Sequence, residues 1–316
     1  MTQPRLSLDA LHRFGHGLAR PESVHVYADG SLAVSHRGRG ISMISPAGEV
    51  RTLGPSPAMA GGSELIPNGI ALQADGSFMI ANIGEGGGIW RLSAQGELTP
   101  YLMEVDGVAL AAANFVMTDA QGRHFITVST LSLPRFNAYS EEVRDGMILM
   151  VDAKGPRILA DDICFANECR LTPDRRGLLV TETFARAVTR FDLDDQGLSN
   201  RRVCARFGRG DFPDGIRFDA AGYLWVTCIV SNRLWRIAPD GQKELVIEDC
   251  DPEWVQTVES ALAAGHMGRE HFYGTGKSTL GNIASIAFSH DGRTGYLGSL
   301  CGSSILTFPT GQGAAQ

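Results

Sequence analysis

PESVHVYADGSLAVS, residues 21–35, decides how the chain is read: a polar residue, an alternating apolar stretch, an Asp-Gly turn, and a second apolar stretch. The same phrase returns as PNGIALQADGSFMIAN (67–82), ANFVMTDAQGRHFITVS (113–129), ANECRLTPDRRGLLVTE (166–182), PDGIRFDAAGYLWVT (213–227) and IASIAFSHDGRTGYLGS (283–299). Alternation with period two marks half-buried strands, and the turn glycine supplies the positive φ of a tight hairpin. Gly30, Gly76, Gly122, Gly222 and Gly292 each fall eight residues after Glu22, Asn68, Asn114, Asp214 and Ala284. The fourth copy aligns from Asn167 and is read with a longer turn ending at Gly177. Successive starts lie 46, 46, 53, 47 and 70 residues apart. That spacing leaves room for four short strands per copy, the period of a propeller blade. A sandwich or barrel would have to produce the same register six times by coincidence.

The second half of each copy agrees. GGGIWRLSAQGELTPYL (86–102) and NRLWRIAPDGQKELVI (232–247) both alternate around a glycine turn, as the two outer strands of a blade should. The expected fold is therefore all-β: a six-bladed β-propeller with a short helical insertion before the last blade, one domain over residues 1–316. A closed ring needs a strand from the far end of the chain, and LHRFGHGLA (11–19) is the candidate to complete the blade ended by SSILTFPT (303–310). Two stretches exceed the period. Residues 131–145 include Leu133, Arg135 and Phe136, candidates for lid contacts; residues 250–282 contain PEWVQTVESALAAGH, where Trp254, Val255, Val258 and Leu262 share one helical face behind Pro252. Each insertion is either a lid or surface packing.

Composition bounds the function. Across 316 residues, 43% are hydrophobic and 20% charged, which suits a packed globular chain rather than a disordered one, and 38 glycines fit a fold full of turns. A net charge of −7 with no basic patch argues against nucleic acid and an anionic membrane surface. The opening MTQPRLSLDALHRFGHGLARPES lacks the apolar core of a signal peptide, and no apolar run is long enough to span a bilayer. The six cysteines form no C-x-x-C pair, so they are expected to be free buried thiols in a cytoplasmic protein.

In a propeller the first strand of each blade lines the central channel. One register position on those strands reads Glu22, Asn68, Asn114, Asn167, Asp214 and Ala284 around the axis. Carboxylates and amides converging there would be costly to bury unless a cation satisfied them. All-oxygen donors without thiolate or imidazole select a hard divalent ion: Ca²⁺ first, with Mg²⁺, Mn²⁺ or Zn²⁺ as further candidates. The plainer alternative is that these side chains cap turns or hydrogen-bond the ring together, an alternative weightiest for Asn68.

These residues carry a family resemblance. Pro21-Glu22-Ser23, Asn114 followed by D-A-Q-G-R, Asn167 followed by T-P-D, and F-P-D-G-I at Asp214 followed by D-A-A-G-Y-L-W-V resemble the senescence-marker-protein (regucalcin) and gluconolactonase family, over nearly the whole chain. The resemblance implies a six-bladed propeller with one divalent cation in its channel and a lactone-hydrolysing activity; one relative hydrolyses organophosphates instead. It implies Glu22, Asn167 and Asp214 as metal ligands, Asn114 as a fourth ligand and substrate contact, and Asp214 as catalytic acid/base. Where sugar-lactone members carry R-x-N-D-G, this chain has Ala112-Ala113-Asn114-Phe115-Val116. The metal positions survive and the sugar-gripping ones do not, so Asn114, Phe115 and Asn68 are expected to contact a less polar small-molecule substrate.

Lactone opening needs a polarised carbonyl, an activated water and a stabilised oxyanion. The competing functions are another Lewis-acid enzyme on the same site, such as a phosphotriester hydrolase, lyase or isomerase, and a non-catalytic calcium- or ligand-binding propeller. G-T-G-K-S-T at Gly274 is no phosphate loop, because His271 stands where its first glycine belongs. His271 and Lys277 are read as solvated loop residues, His25, His36 and His124 as ordinary strand residues, and no G-x-S-x-G elbow occurs.

Overall fold

The computed structural model describes residues 5–53 and 64–311. Six four-stranded antiparallel sheets follow one another along the chain. Their innermost strands are Val24–Val26, Pro67–Leu72, Ala113–Thr118, Ala166–Leu171, Asp211–Phe218 and Ile283–Phe288, and each is followed outward by its hairpin partners in sequence order. The last sheet is completed by His12–His16, which pairs with Ser304–Pro309 and seals the ring as the sequence implied. A two-stranded hairpin, Glu104–Val105 with Val108–Ala109, stands apart from the blades.

The turn after each inner strand explains why the repeat is legible. The backbone N–H groups of Gly30, Gly76, Gly122, Gly222 and Gly292 each donate to the carbonyl three residues earlier. In the fourth copy Arg175, not a glycine, takes that place: its N–H donates to Thr172 O and its φ is +56°. The longer turn expected there is thus a standard one in the same register, with an arginine in the left-handed conformation.

The blades pack through apolar inner faces. Fully buried side chains such as Phe78, Phe125, Trp225 and Phe308 fill the space between sheets, and burial of this kind dominates the stability of such a fold. Close backbone approach between neighbouring inner strands requires missing side chains at two places. A Cβ on Gly215 would lie 2.4 Å from Ala284 O, and one on Gly69 would lie 2.6 Å from Phe115 Cδ2.

The helical insertion before the last blade is present and is double. Helix α1, Pro252–Ala263, starts with Asp251 accepting from Glu253 N and buries Val255 and Val258. Helix α2, Arg269–Tyr273, was not expected from the sequence. The earlier insertion forms a 3₁₀ turn over Arg135–Ala138. All six cysteines are free, but only Cys164, Cys169 and Cys228 are buried; Cys204 and Cys301 are exposed, against the expectation of uniformly buried thiols. Among the described residues no helix is long and apolar enough to cross a membrane.

Candidate functional site

The inner strands do not run smoothly past the ring positions. Ladder pairing is interrupted between Pro67 and Ile70, Ala113 and Phe115, Ala166 and Cys169, Pro213 and Ile216, and Ile283 and Ser285. Each interruption brackets one ring residue. Bulges re-aim side chains next to functional sites, and here they release Asn68, Asn114, Asn167 and Asp214 from the regular pleat.

Glu22, Asn114, Asn167 and Asp214 come together on the wall of one hub cavity of about 30 Å³, room for a single ion- or water-sized body. All four are at least 95% buried. Hydroxyl groups on the adjoining strands hold the amides in place: Asn114 Nδ2 donates to Ser129 Oγ at 2.9 Å, and Asn167 Nδ2 to Thr183 Oγ1 at 3.2 Å. With their N–H groups used this way, their oxygens are left as acceptors. Asn167 Oδ1 and Asp214 Oδ1 are buried without a hydrogen-bond donor, and Glu22 Oε2 meets only the guanidinium of Arg20. Stranded acceptors of that kind are costly, and they are the donor set a hard cation needs.

The electrostatics agree. Burial, then the charges of Glu22 and Glu168, push the Asp214 carboxyl well above the usual carboxylate range, and Arg20 and Arg135 only partly offset this. Burial also raises Glu22, against Arg20, Arg135 and a hydrogen bond from Asn68. The crowding of the two carboxylates raises the cost of keeping both ionised, which a positive charge beside them lowers. Among the described residues no three His, Cys, Asp or Glu side chains converge; the carboxylates on the hub lining are Glu22 and Asp214, beside the amides of Asn114 and Asn167.

Two expected substrate contacts lie elsewhere. Phe115 does not face the cavity: it is 2% exposed, packs with Phe125, Ile148 and Cys169, and carries the Arg170 guanidinium 4.3 Å from its ring centre. Its position follows from the strand, where the residue beside a ring position turns to another side. Asn68 is also behind the cavity wall, as a bridge: it accepts from Arg20 Nη2 at 2.7 Å and donates to Asn114 O and Oδ1 at 3.0 and 3.1 Å. Ala112 is completely buried.

The residues missed from sequence are the rest of the lining. Arg20 lies two positions before Glu22 and forms a short ion pair with its Oε2. The insertions contribute Arg135 and Tyr139 from one side and Phe272 and Tyr273 from the other. They meet through Tyr139 and Phe272, ring centres 4.8 Å apart. Burial works to raise the Tyr273 hydroxyl, yet Arg20 and Arg135 hold it below its ordinary value. His271 and Lys277 stay off the hub; Lys277 is an exposed partner of Glu253. Arg135, Tyr139 and Tyr273 also border a wider outer cleft of about 880 Å³, so they stand at the junction of hub and cleft. The cleft is walled partly by Ile66, Ile83, Met103, Leu110, Leu133 and Phe136.

The family model described as SMP-30/Gluconolactonase/LRE-like region matches residues 37–248. The chain belongs to this family. A 6-deoxy-6-sulfogluconolactonase from Pseudomonas putida is 31% identical over 176 residues, covering 54% of this chain and 57% of that protein. The chain thus matches little more than half the length of this curated relative. A gluconolactonase from Xanthomonas campestris superposes with a TM-score of 0.69 at 20% identity, covering 98% of this chain and 95% of that one. A calcium-binding regucalcin from Agrobacterium tumefaciens gives 0.64 at 16% identity, with 94% and 93% covered. At those identities the two structures establish the fold, a six-bladed propeller. Glu22 lies outside the matched family segment, whereas Asn68, Asn114, Asn167 and Asp214 lie inside it.

Proposed function

We propose that this chain is a cation-dependent hydrolase that opens a lactone or related ester with an apolar body. The observation that carries the reading is the convergence of two donor-less buried oxygens, from Asn167 and Asp214, with the Glu22 carboxylate on a cavity of one-ion size. Membership of a family that includes gluconolactonases supports the reaction class. The calcium-binding description of the regucalcin neighbour supports Ca²⁺ as the first candidate ion.

In this reading Glu22, Asn114, Asn167 and Asp214 hold the ion, which when bound supplies polarisation of the substrate carbonyl. Asp214 would accept the proton of the attacking water; its burial beside Glu22 raises its proton affinity above that of an ordinary carboxylate. Glu22, tied to Arg20, serves as ligand. Ser129 and Thr183 keep the amide oxygens aimed inward. The substrate body lies in the outer cleft, where Leu133 and Phe136 remain 62% and 40% exposed. Such large exposed apolar side chains around a cleft mark a binding surface.

The test is a panel of lactones, aryl esters and phosphotriesters, with apolar and polyhydroxylated members, assayed with Ca²⁺ and with chelator. Cation-dependent turnover that favours apolar lactones is expected. Turnover unaffected by chelator refutes the cation role, and preference for phosphotriesters moves the reaction class.

A further inference from the structure

Arg20 is the least expected residue of the hub. Its backbone sits at φ +52°, a left-handed conformation that arginine keeps only when its surroundings enforce it. It is 7% exposed and lines the cavity. One side of its guanidinium is anchored on the second blade, with Nη1 donating to Pro67 O at 3.2 Å and Nη2 to Asn68 Oδ1 at 2.7 Å. The same Nη2 is also ion-paired with Glu22 Oε2, the oxygen that would otherwise be free for a metal ion. Its Nε has no hydrogen-bond partner among the described residues, so the placement serves the pairing with Glu22 rather than full satisfaction of the guanidinium.

The charge count sharpens the point. The cavity is lined by two carboxylates, Glu22 and Asp214, and two guanidiniums, Arg20 and Arg135. It is formally neutral before any ion enters. A divalent cation reaching Glu22 meets the Arg20 charge at close range, in a site where water does little to screen it.

We propose that Arg20 is a resident counter-ion that competes with the divalent cation for Glu22 and so sets the affinity of the site. This rests on the reading of the hub as a cation site. The hub then has two complete states. In one, Arg20 neutralises Glu22; in the other, the ion does, and the guanidinium is held by Pro67 O, Asn68 and the Tyr273 hydroxyl. The neutral ion-free state lets the propeller persist without metal, and the competition keeps ion binding weak.

The test is calorimetric titration of chelator-treated protein with CaCl₂, comparing the wild type, Arg20→Gly and Arg20→Met. Glycine suits the positive φ, so Arg20→Gly keeps the local backbone; circular dichroism checks the fold of both variants. Calcium affinity at least about tenfold tighter in both variants is expected, with the gain lost in the double variant Arg20→Gly/Glu22→Gln. Without ion, Arg20→Gly should melt below the wild type, and saturating calcium should narrow that gap, a change that a purely structural role would not produce. Equal affinities, or weaker ones in the variants, overturn the proposal and leave the cation site standing, since Arg20 would then hold Glu22 ready for the ion. No binding of calcium, magnesium or manganese by any of the proteins overturns the cation reading and this proposal together.

Discussion

The hub and the two insertions above it are built by opposite rules. The hub's acceptors come from a single repeated register position, and Asn114, Asn167 and Asp214 are each released by an irregularity in their strand. The insertions have no counterpart in the other blades, and they contribute Arg135, Tyr139, Phe272 and Tyr273 to the same cavity. A ring position is constrained by every neighbouring blade, so its chemistry is fixed by the fold. An insertion is constrained only where it touches down, so it is free to shape what the cavity admits. Reaction class should therefore follow the hub, and substrate choice the insertions.

The largest effect should come from removing the hub's proton acceptor. Asp214→Asn is expected to lower kcat about 10³-fold, within the range of general-base losses. Its melting temperature should stay at or above that of the wild type, because a crowded buried carboxyl has been neutralised. Steady-state kinetics with a melting curve check both, and near-normal turnover would remove Asp214 from the reaction. Next comes the support beneath the hub. Gly215→Ala places a methyl 2.4 Å from Ala284 O and should cost about 2–3 kcal/mol of stability in urea denaturation. A loss below 0.5 kcal/mol would show that the inner strands shift easily.

The insertions should respond differently. Leu133→Ser with Phe136→Ser is expected to raise KM for an apolar lactone about tenfold, with kcat changed less than threefold. A fall confined to kcat would erase the division of labour between hub and insertions. The smallest effect concerns the blades themselves. Burial first, with the Arg217 and His290 charges, lowers the His25 pKa to about 4 from an ordinary 6.5. A histidine kept neutral by folding contributes stability that is fully present above pH 6.5 and is lost as pH falls from there toward 4. For this half-buried ring, solvent screening reduces the contribution to about 1 kcal/mol. Between pH 7.5 and 5 the wild type should lose about that much more than His25→Gln, measured by urea midpoints. Equal losses would show that His25 does not carry this dependence.

The blades were legible because turn chemistry repeats. Five glycines mark the left-handed turn position, and the fourth copy misled only because Arg175 holds that place without being glycine. The ring was legible because one register position carries oxygen donors in five of six copies. What failed was the side toward which neighbouring residues point. Phe115 and Asn68 adjoin or occupy ring positions, yet the bulges decide which side chain enters the cavity, and bulges leave no mark in an alternating pattern. Arg20 was overlooked because it precedes the first inner strand, where periodicity says nothing. Tyr139 and Tyr273 were out of reach for a related reason: no repeat predicts where an insertion lands.

The closing strand has a consequence for the chemistry. His12–His16 is zipped to Ser304–Pro309, and Arg20 and Glu22 follow it by only a few residues. Unfastening that one seam would free the chain before them, whereas Arg20 stays tied to Pro67 O and Asn68 Oδ1, and the carbonyls of Pro21 and Glu22 still accept from Ser299 N and Ser285 Oγ. The centre is thus insulated from fraying at the seam, and hydrogen exchange along His12–His16 should run ahead of exchange in the inner strands.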